Sequence, residues 1–232
     1  FGGNITAGGS VSITDADFDN NPAFGLHIVA GGAISLTNIE CQNNDGTYGA
    51  ELDNHLGSGG ITINGLSNDW AQFDDNIGTN LILNTTGALT LKYINADGSS
   101  GITTRALDIP GTVGNVTFNY VDVNNITGGF FGVYLTSNGT VSLSHIDCDN
   151  TPGGGIWIDN SSATSSKNVT LLDIDAYDDS GGYGIYVRSK GVINVKDIDL
   201  DGENLRDYGV WLDNSPSTTK AGVTLSGSNE IT

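Results

Sequence analysis

Aspartate occupies every second position in one short stretch of the chain. Residues 192–202 read VINVKDIDLDG, in which Asp197, Asp199 and Asp201 alternate with apolar residues. Successive side chains of a β-strand point to opposite faces, so these carboxylates would share one face of a strand. Grouped carboxylate oxygens are ligands for Ca²⁺, but the same pattern also describes a solvated outer face. The neighbouring strands decide between the two.

The same pattern occurs nine times along the chain. Most copies are apolar at their first, third, sixth and eighth positions, and they begin at residues 11, 34, 61, 89, 116, 141, 169, 193 and 223. The alternation slips by one residue within each copy, which predicts two short strands joined by a bend. A third apolar element precedes most copies, and the complete units begin near residues 1, 24, 48, 79, 105, 131, 154, 183 and 208.

Units of this length cannot bury an apolar face alone and must stack on one another. The sequence therefore predicts an all-β fold, a right-handed parallel β-helix (solenoid) of about nine turns, each of three short strands. It would form a single domain over residues 1–232, either complete or a piece of a longer array. Cys41 and Cys148 fall in one inward column four turns apart. That distance, about 19 Å, is too long for a disulfide and predicts two buried free thiols.

The units share the pattern YG-x-x-L-D-N followed by G-x-V-x-L-x-x-I, as in residues 48–54 and 208–214 for the first part. This pattern resembles the right-handed parallel β-helix repeat proteins, which include the pectin-lyase-like superfamily and the repeat arrays of prokaryotic secreted and surface proteins. The resemblance covers the whole chain and implies an extracellular or cell-surface location. It implies the fold more strongly than any function, because one fold carries many functions.

Stacking would place the carboxylates of successive units above one another. Neighbouring carboxylates in such a column repel by about 0.9 kcal/mol at ~4.8 Å even in water. The column is tolerated if Ca²⁺ binds to it or if the carboxylates are solvated, and the sequence leaves both open. No EF-hand signature is present, and Ca²⁺ is the one cofactor that the pattern suggests. The candidate metal ligands are Asp122, Asp147, Asp149, Asp175, Asp199 and Asp201.

Aromatic residues form a second predicted column on the outer surface of the YGVWL-type strands. Three interpretations remain open for them: the rings stack on one another, they form a protein interface, or they bind glycans. The candidate interface residues are Tyr134, Trp157, Tyr186 and Trp211.

One further set of outward residues carries groups suited to acid–base catalysis. Arg188 lies between Asp159 and Asp213 in the predicted stack. An ion-pair ladder is the simpler interpretation, since the two carboxylates would be about 9.6 Å apart with the arginine between them. The sequence assigns no catalytic residue and favours a protein that is not an enzyme. If it is one, a polysaccharide lyase or glycoside hydrolase fits best.

The charge balance excludes several partners. The chain has 27 acidic and 8 basic residues and a net charge of −19, which argues against binding to nucleic acid. No apolar stretch approaches the ~20 residues that a membrane span needs, so membrane insertion is not predicted.

An exported chain could be glycosylated at its sequons. These sequons begin at Asn4, Asn84, Asn115, Asn125, Asn138, Asn160 and Asn168.

The prediction for function is a structural one. Short turns, acidity and end units without a polar cap favour an extracellular rod, as a subunit or segment of a cell-surface filament, sheath or adhesin. It would assemble by end-to-end stacking with copies of itself or with neighbouring repeats of the same chain. The alternative is a protein that binds or degrades polysaccharide, with glycans bound to the aromatic face.

Overall fold

The computed structural model describes residues 1–101, 105–128, 131–177, 182–201, 208–217 and 221–231. Within these ranges the chain forms 20 strands and no helix. The strands stack in parallel as a β-solenoid of about eight turns, which confirms the predicted all-β parallel β-helix. The right-handed sense of the coil stays a prediction from the general preference of parallel crossovers.

The first sheet contains nine parallel strands, and each is paired with the corresponding strand of the adjacent coils, so the first and the last strand have one partner each. It consists of β1 (Gly3–Ala7), β3 (Leu26–Ala30), β5 (Tyr48–Asp53), β8 (Thr79–Asn84), β10 (Leu107–Val113), β12 (Val133–Ser137), β14 (Gly154–Asn160), β16 (Tyr183–Ser189) and β18 (Tyr208–Asp213).

The second sheet contains 11 strands, because two of its coils carry a strand that is split in two. It consists of β2 (Val11–Asp17), β4 (Ile34–Glu40), β6 (Ile61–Asn64), β7 (Ala71–Gln72), β9 (Leu89–Asn95), β11 (Val116–Asp122), β13 (Val141–Asp147), β15 (Val169–Tyr177), β17 (Ile193–Asp201), β19 (Val223–Ser226) and β20 (Glu230–Ile231).

The one-residue slip in the repeat is a bend inside a single strand. The fifth residue of most copies has a φ between 49° and 59°, the left-handed region that non-glycine residues seldom adopt. The pairing on both sides of the bend continues from coil to coil, and this holds the conformation. The two short strands that the slip predicts are therefore one bent strand in most coils. The bend residues are Asp15, Asn38, Tyr93, Tyr120, His145, Asp173 and Asp197.

The interior between the sheets is filled by stacked columns of aliphatic side chains. In-register pairing places Ile34, Ile61 and Leu89 above one another, each at most 1% exposed. Burial of each such side chain contributes about 1.5–3 kcal/mol to stability. These columns, repeated from coil to coil, form the hydrophobic core that stabilises the solenoid. Cys41 and Cys148 are buried free cysteines, as predicted.

Buried asparagines close the turn between the second and first sheets in the early coils. The Asn44 side-chain amide donates to Asn76 Oδ1 at 2.9 Å, and that of Asn76 donates to Asn80 Oδ1 at 3.0 Å. Asn80 in turn donates to the carbonyl oxygens of Ala96 and Asp97. A fully buried amide needs such partners, and the ladder supplies them from coil to coil.

Candidate functional site

The predicted carboxylate column is present on the second sheet. Pairing aligns Asp122 with Asp147, Asp147 with Asp175, and Asp175 with Asp199. Glu230 of the last described strand continues the column beyond Asp199. These residues follow the bend, and they are here called the carboxylate column.

Several carboxyls of this column hold their protons more tightly than usual. Burial, and then the neighbouring carboxylates, raise the pKa of Asp147 to about 7 and that of Asp122 to about 6. The same two causes raise the pKa of Asp175. Asp147 Oδ1 is shielded from solvent and accepts no hydrogen bond within the described part of the chain. The column is therefore electrostatically unfavourable at neutral pH.

Asp149 belongs to a different column, whose side chains bind the backbone. Its Oδ1 accepts a hydrogen bond from the Tyr177 amide at 2.8 Å, and its own amide donates to Asn124 Oδ1 at 2.7 Å. Asn124 and Asp97 repeat the pattern, since the Asn124 amide donates to Asp97 Oδ1 at 2.7 Å. These side chains, here called the capping column, satisfy backbone amides at the turn and so have a structural role.

The geometry gives the calcium prediction no support. Asp149 Oδ1 is bound to the backbone, and Asp199 Oδ2 accepts a hydrogen bond from the Tyr177 hydroxyl at 2.5 Å. The side chain of Asp201 lies outside the described part of the structure. Among the described residues, no three His, Cys, Asp or Glu side chains are arranged to hold a metal ion.

The predicted aromatic column is also present, on the first sheet. Tyr134 and Trp157 stack with ring centroids 4.5 Å apart and planes within 7°, and Trp157 and Tyr186 stack at 5.5 Å and 5°. The Arg105 guanidinium lies 3.9 Å from the centroid of the Tyr134 ring. Trp211 is aligned with Tyr186 and meets other aromatic rings edge to face.

This stacking determines which surfaces of the aromatic rings a ligand could contact. The rings of Tyr134, Trp157 and Tyr186 face one another along the rod axis, so a neighbouring ring covers each face of Trp157. A sugar ring stacks on an uncovered aromatic face, and this column presents mainly ring edges. The geometry therefore favours mutual stacking among the three interpretations, with a gain of about 0.5–1.5 kcal/mol per ring pair.

A second aromatic column, which the repeat pattern does not predict, runs along the bend. Tyr93 and Tyr120 stack at 5.1 Å, and Tyr120 and His145 stack at 4.3 Å with planes within 8°. Trp70, from the loop between β6 and β7, packs against Tyr93 with centroids 5.9 Å apart. The signal was available as aromatic residues at the fifth position of three successive repeats.

A shallow groove of about 190 Å³ lies between the bend and the carboxylate column, and a larger one of about 690 Å³ lies near the last coil. Carboxylates dominate both linings, so both belong to the acidic surface already described. The smaller groove is lined by Tyr120, Asp122, His145, Ile146, Asp147, Asp173 and Asp175.

The residues of the one candidate catalytic set are arranged for a structural role, as an ion pair and a turn cap. Pairing aligns Asp159, Arg188 and Asp213, and Arg188 Nε lies 3.4 Å from Asp213 Oδ2. Asp213 Oδ1 accepts from the Ser215 amide, and hydrogen bonds from Ser215 lower the pKa of the Asp213 carboxyl. A general acid needs a raised pKa, so this carboxyl is suited to an ion pair and a turn cap.

The seven sequon asparagines differ in accessibility. Asn160 is fully buried, and its amide donates to the Gly139 carbonyl at 2.6 Å. A glycan at Asn160 is incompatible with this folded turn, while Asn84 is half-buried. The exposed sequon asparagines are Asn4, Asn115, Asn125, Asn138 and Asn168.

The last described coil exposes apolar side chains that are interior positions in every other coil. Val223 and Leu225 are 46% and 49% exposed, whereas their partners Ile193 and Val195 are at most 1% exposed. At the opposite end Phe1 is 64% exposed. The strands of each end coil have a neighbour on one side only, so a row of backbone hydrogen-bonding groups is unpaired there.

Comparison with known proteins gives no match, since no family model, curated protein or solved structure is significantly similar to this chain. The resemblance to pectin-lyase-like and surface repeat proteins therefore stays a prediction. Within the described part of the chain, no helix is able to span a lipid bilayer.

Proposed function

We propose that this chain is a structural rod, a subunit or segment of an extracellular filament, sheath or adhesin, which extends by stacking further coils on its ends. The observation that carries the proposal is the apolar surface of the last described coil. Val223, Leu225 and Ile231 are 45–49% exposed there. In the coil beneath them, the aligned residues are buried.

An added coil of the same kind would bury both features of the end at once. Its aliphatic side chains would cover Val223 and Leu225, and its backbone would pair with the free edges of β18 and β19. An unprotected edge with an apolar cross-section is an aggregation hazard, so proteins normally cover it. Neighbouring repeats of the same chain or copies of it are the simplest cover, because the strand spacing and the bend already match.

The outer surface supports the same proposal over an enzyme or a glycan-binding protein. The aromatic column of Tyr134, Trp157 and Tyr186 is occupied by its own stacking. The Arg188–Asp213 pair contains a carboxyl with a lowered pKa, which does not suit acid catalysis. The extracellular location is part of the proposal and rests on the resemblance of the repeat to surface arrays.

The test compares the assembly of two variants, one with a lysine on the apolar end of the rod and one with a lysine on its side. We expect the wild-type chain to form elongated assemblies, seen by electron microscopy and sedimentation velocity. Their axial repeat should be about 43 Å, because each copy adds the nine stacked strands of the first sheet at a spacing of ~4.8 Å. Leu225→Lys should abolish them, because it buries an unpaired ammonium in the junction. Leu56→Lys is the matched control, since Leu56 is 87% exposed in the turn after β5.

Two results would overturn the proposal. One is a wild-type chain that stays monodisperse at every concentration. The other is assembly that Leu56→Lys weakens as strongly as Leu225→Lys, which would show that contacts between the sides of rods drive it.

A further inference from the structure

We propose that Asn138 is a site of spontaneous deamidation, at which the backbone amide of Gly139 attacks the asparagine side chain and converts the residue into aspartate and isoaspartate. A second asparagine followed by glycine, Asn64 before Gly65, is protected from the same reaction by the fold. The proposal goes beyond the proposed function and does not depend on it, since it concerns one turn between two strands.

An asparagine followed by glycine is the dipeptide in which this reaction meets least hindrance. Glycine has no Cβ, so its amide nitrogen can approach the asparagine Cγ and close a five-membered succinimide ring. The nitrogen gives its proton to solvent, the N–Cγ bond forms, and the Cγ–Nδ2 bond breaks with release of ammonia. Water then opens the ring at either carbonyl carbon. The products are aspartate and isoaspartate, so the residue gains one negative charge and nothing is oxidised or reduced.

The chain contains this dipeptide twice, at Asn64 and at Asn138. Because the two pairs are identical, the difference between them lies in the backbone around each. Ring closure needs a rotation about the asparagine ψ that brings the next amide nitrogen onto Cγ. The hydrogen bonds that oppose this rotation therefore set the rate.

Asn64 is the last residue of β6 and is held from both sides. It is aligned with Thr37 in the coil before and with Lys92 in the coil after, and the Gly65 amide donates to the Lys92 carbonyl at 2.7 Å. An extended backbone keeps the next amide nitrogen away from the asparagine Cγ. The rotation at Asn64 would break pairing with both neighbouring coils.

Asn138 lies outside the strands, in the turn between β12 and β13, and is exposed to solvent. Its amide donates to the Val113 carbonyl at 2.9 Å, and the Gly139 amide donates to Ser137 Oγ at 3.0 Å. The second of these bonds must break before the Gly139 nitrogen can attack, and its acceptor is a side chain of the same turn. Opening a turn costs less than separating paired strands, so the reactive geometry is reached more often here than at Asn64.

The two products should differ in their effect on the fold. Aspartate leaves the path of the main chain unchanged, whereas isoaspartate routes it through the side chain and lengthens it by one methylene group. The turn has no room for this, since a Cβ added at Gly139 would lie 2.4 Å from the Gly114 carbonyl carbon. The side-chain amide of buried Asn160 donates to the Gly139 carbonyl at 2.6 Å. Isoaspartate at position 138 should displace Gly139 and break this bond, which leaves a buried amide without its acceptor.

The experiment incubates folded chain in mildly alkaline buffer and follows deamidation at Asn64 and Asn138 by peptide mass spectrometry. Unglycosylated chain is used because Asn138 begins a sequon. Asn138 should react at least about tenfold faster than Asn64, a difference of about 1.4 kcal/mol in activation free energy. In denaturing urea both pairs lose their structure, and the two rates should become similar.

The variant Asn138→Gln is the matched control for the chemistry. Glutamine keeps an exposed amide at the position, but its longer side chain must close a six-membered ring, which is much slower. This variant should fold as wild type and stay unmodified at position 138. After incubation, wild-type chain should melt at a lower temperature than before, and Asn138→Gln should not.

The variant Asn138→Asp is the control for the added charge. It introduces the carboxylate of the ordinary product without lengthening the main chain. Its melting temperature, measured on freshly prepared chain, should equal that of fresh wild type. A fall as large as that of incubated wild type would overturn the role assigned to isoaspartate.

Three further results would overturn the proposal. One is an Asn138 that stays unmodified in folded chain or reacts no faster than Asn64. Another is a ratio of the two rates that is the same in folded chain and in urea, which would show that the local sequence alone sets the rates. The third is incubated Asn138→Gln that loses as much stability as wild type, which would place the damage elsewhere in the chain.

Discussion

The carboxylate column and the capping column lie side by side, contain the same residue types, and do opposite things. Asp149 in the capping column accepts a hydrogen bond from the backbone of the next coil. Asp147, two residues earlier, has a buried oxygen that accepts none, and burial, followed by repulsion from carboxylates that include Asp149, raises its pKa to about 7. One column therefore stabilises the stack of coils and the other destabilises it. Both carboxylates point outward, so the partner that lies within hydrogen-bonding distance, and not the residue type, decides the contribution.

The largest change in the free energy of unfolding should result when a hydrogen-bond acceptor of the capping column is removed without changing any charge. Asn124→Ala removes the partner of the Asp149 amide, a hydrogen bond of 2.7 Å. We expect a loss of about 1–2 kcal/mol in the free energy of unfolding, measured by urea denaturation, since the amide is left without an acceptor. Asp149→Asn is the control, because it keeps an acceptor oxygen at its position. Equal losses in both variants would contradict the assigned role.

In the carboxylate column, by contrast, removal of one carboxylate should increase the free energy of unfolding. Asp147→Asn should raise the free energy of unfolding by about 1 kcal/mol near pH 7.5. The gain is modest because Asp147 is half-buried and solvent screens its charge. A loss of stability in this variant would erase the contrast between the two columns.

The pH dependence of wild-type stability sharpens the same contrast. Folding raises the pKa of Asp147 to about 7 and that of Asp122 to about 6, so the folded state binds these protons more tightly than the unfolded state. The resulting stability is complete below the unfolded pKa of about 4 and is lost as the pH rises towards 7. Thermal unfolding should show a melting temperature that falls over this interval, and the fall should be smaller in Asp147→Asn.

The smallest effect should be that of divalent cations on the folded chain. Without a coordination shell among the described carboxylates, Ca²⁺ and Mg²⁺ act by screening and should raise the melting temperature by similar small amounts. Mg²⁺ is the control because it requires a much stricter geometry than Ca²⁺. A large rise with Ca²⁺ alone, reversed by a chelator, would restore the calcium prediction.

The sequence predicted the fold because the repeat is visible in the identity of its residues. Alternation of Val, Ile and Leu with polar residues predicts strands, and the repeat length predicts stacking, so Cys41 and Cys148 could be placed in one buried column. The bend was visible only as a slip in that alternation. Its left-handed backbone at residues such as Tyr120 and His145 could not be predicted, because isolated Tyr and His do not favour this conformation.

By itself, the sequence determined which residues share a column, since period-two alternation and a fixed repeat assign every side chain to an inward or outward position. Only the tertiary structure decided what each outward column does. Whether the ring faces of Trp157 are accessible or are covered by neighbouring rings depends on the tilt of the rings in adjacent coils. Whether an aspartate binds a backbone amide, as Asp149 does, or faces another carboxylate, as Asp147 does, depends on distances between coils. Those contacts join residues 23–29 positions apart, and no local pattern in the sequence carries their geometry.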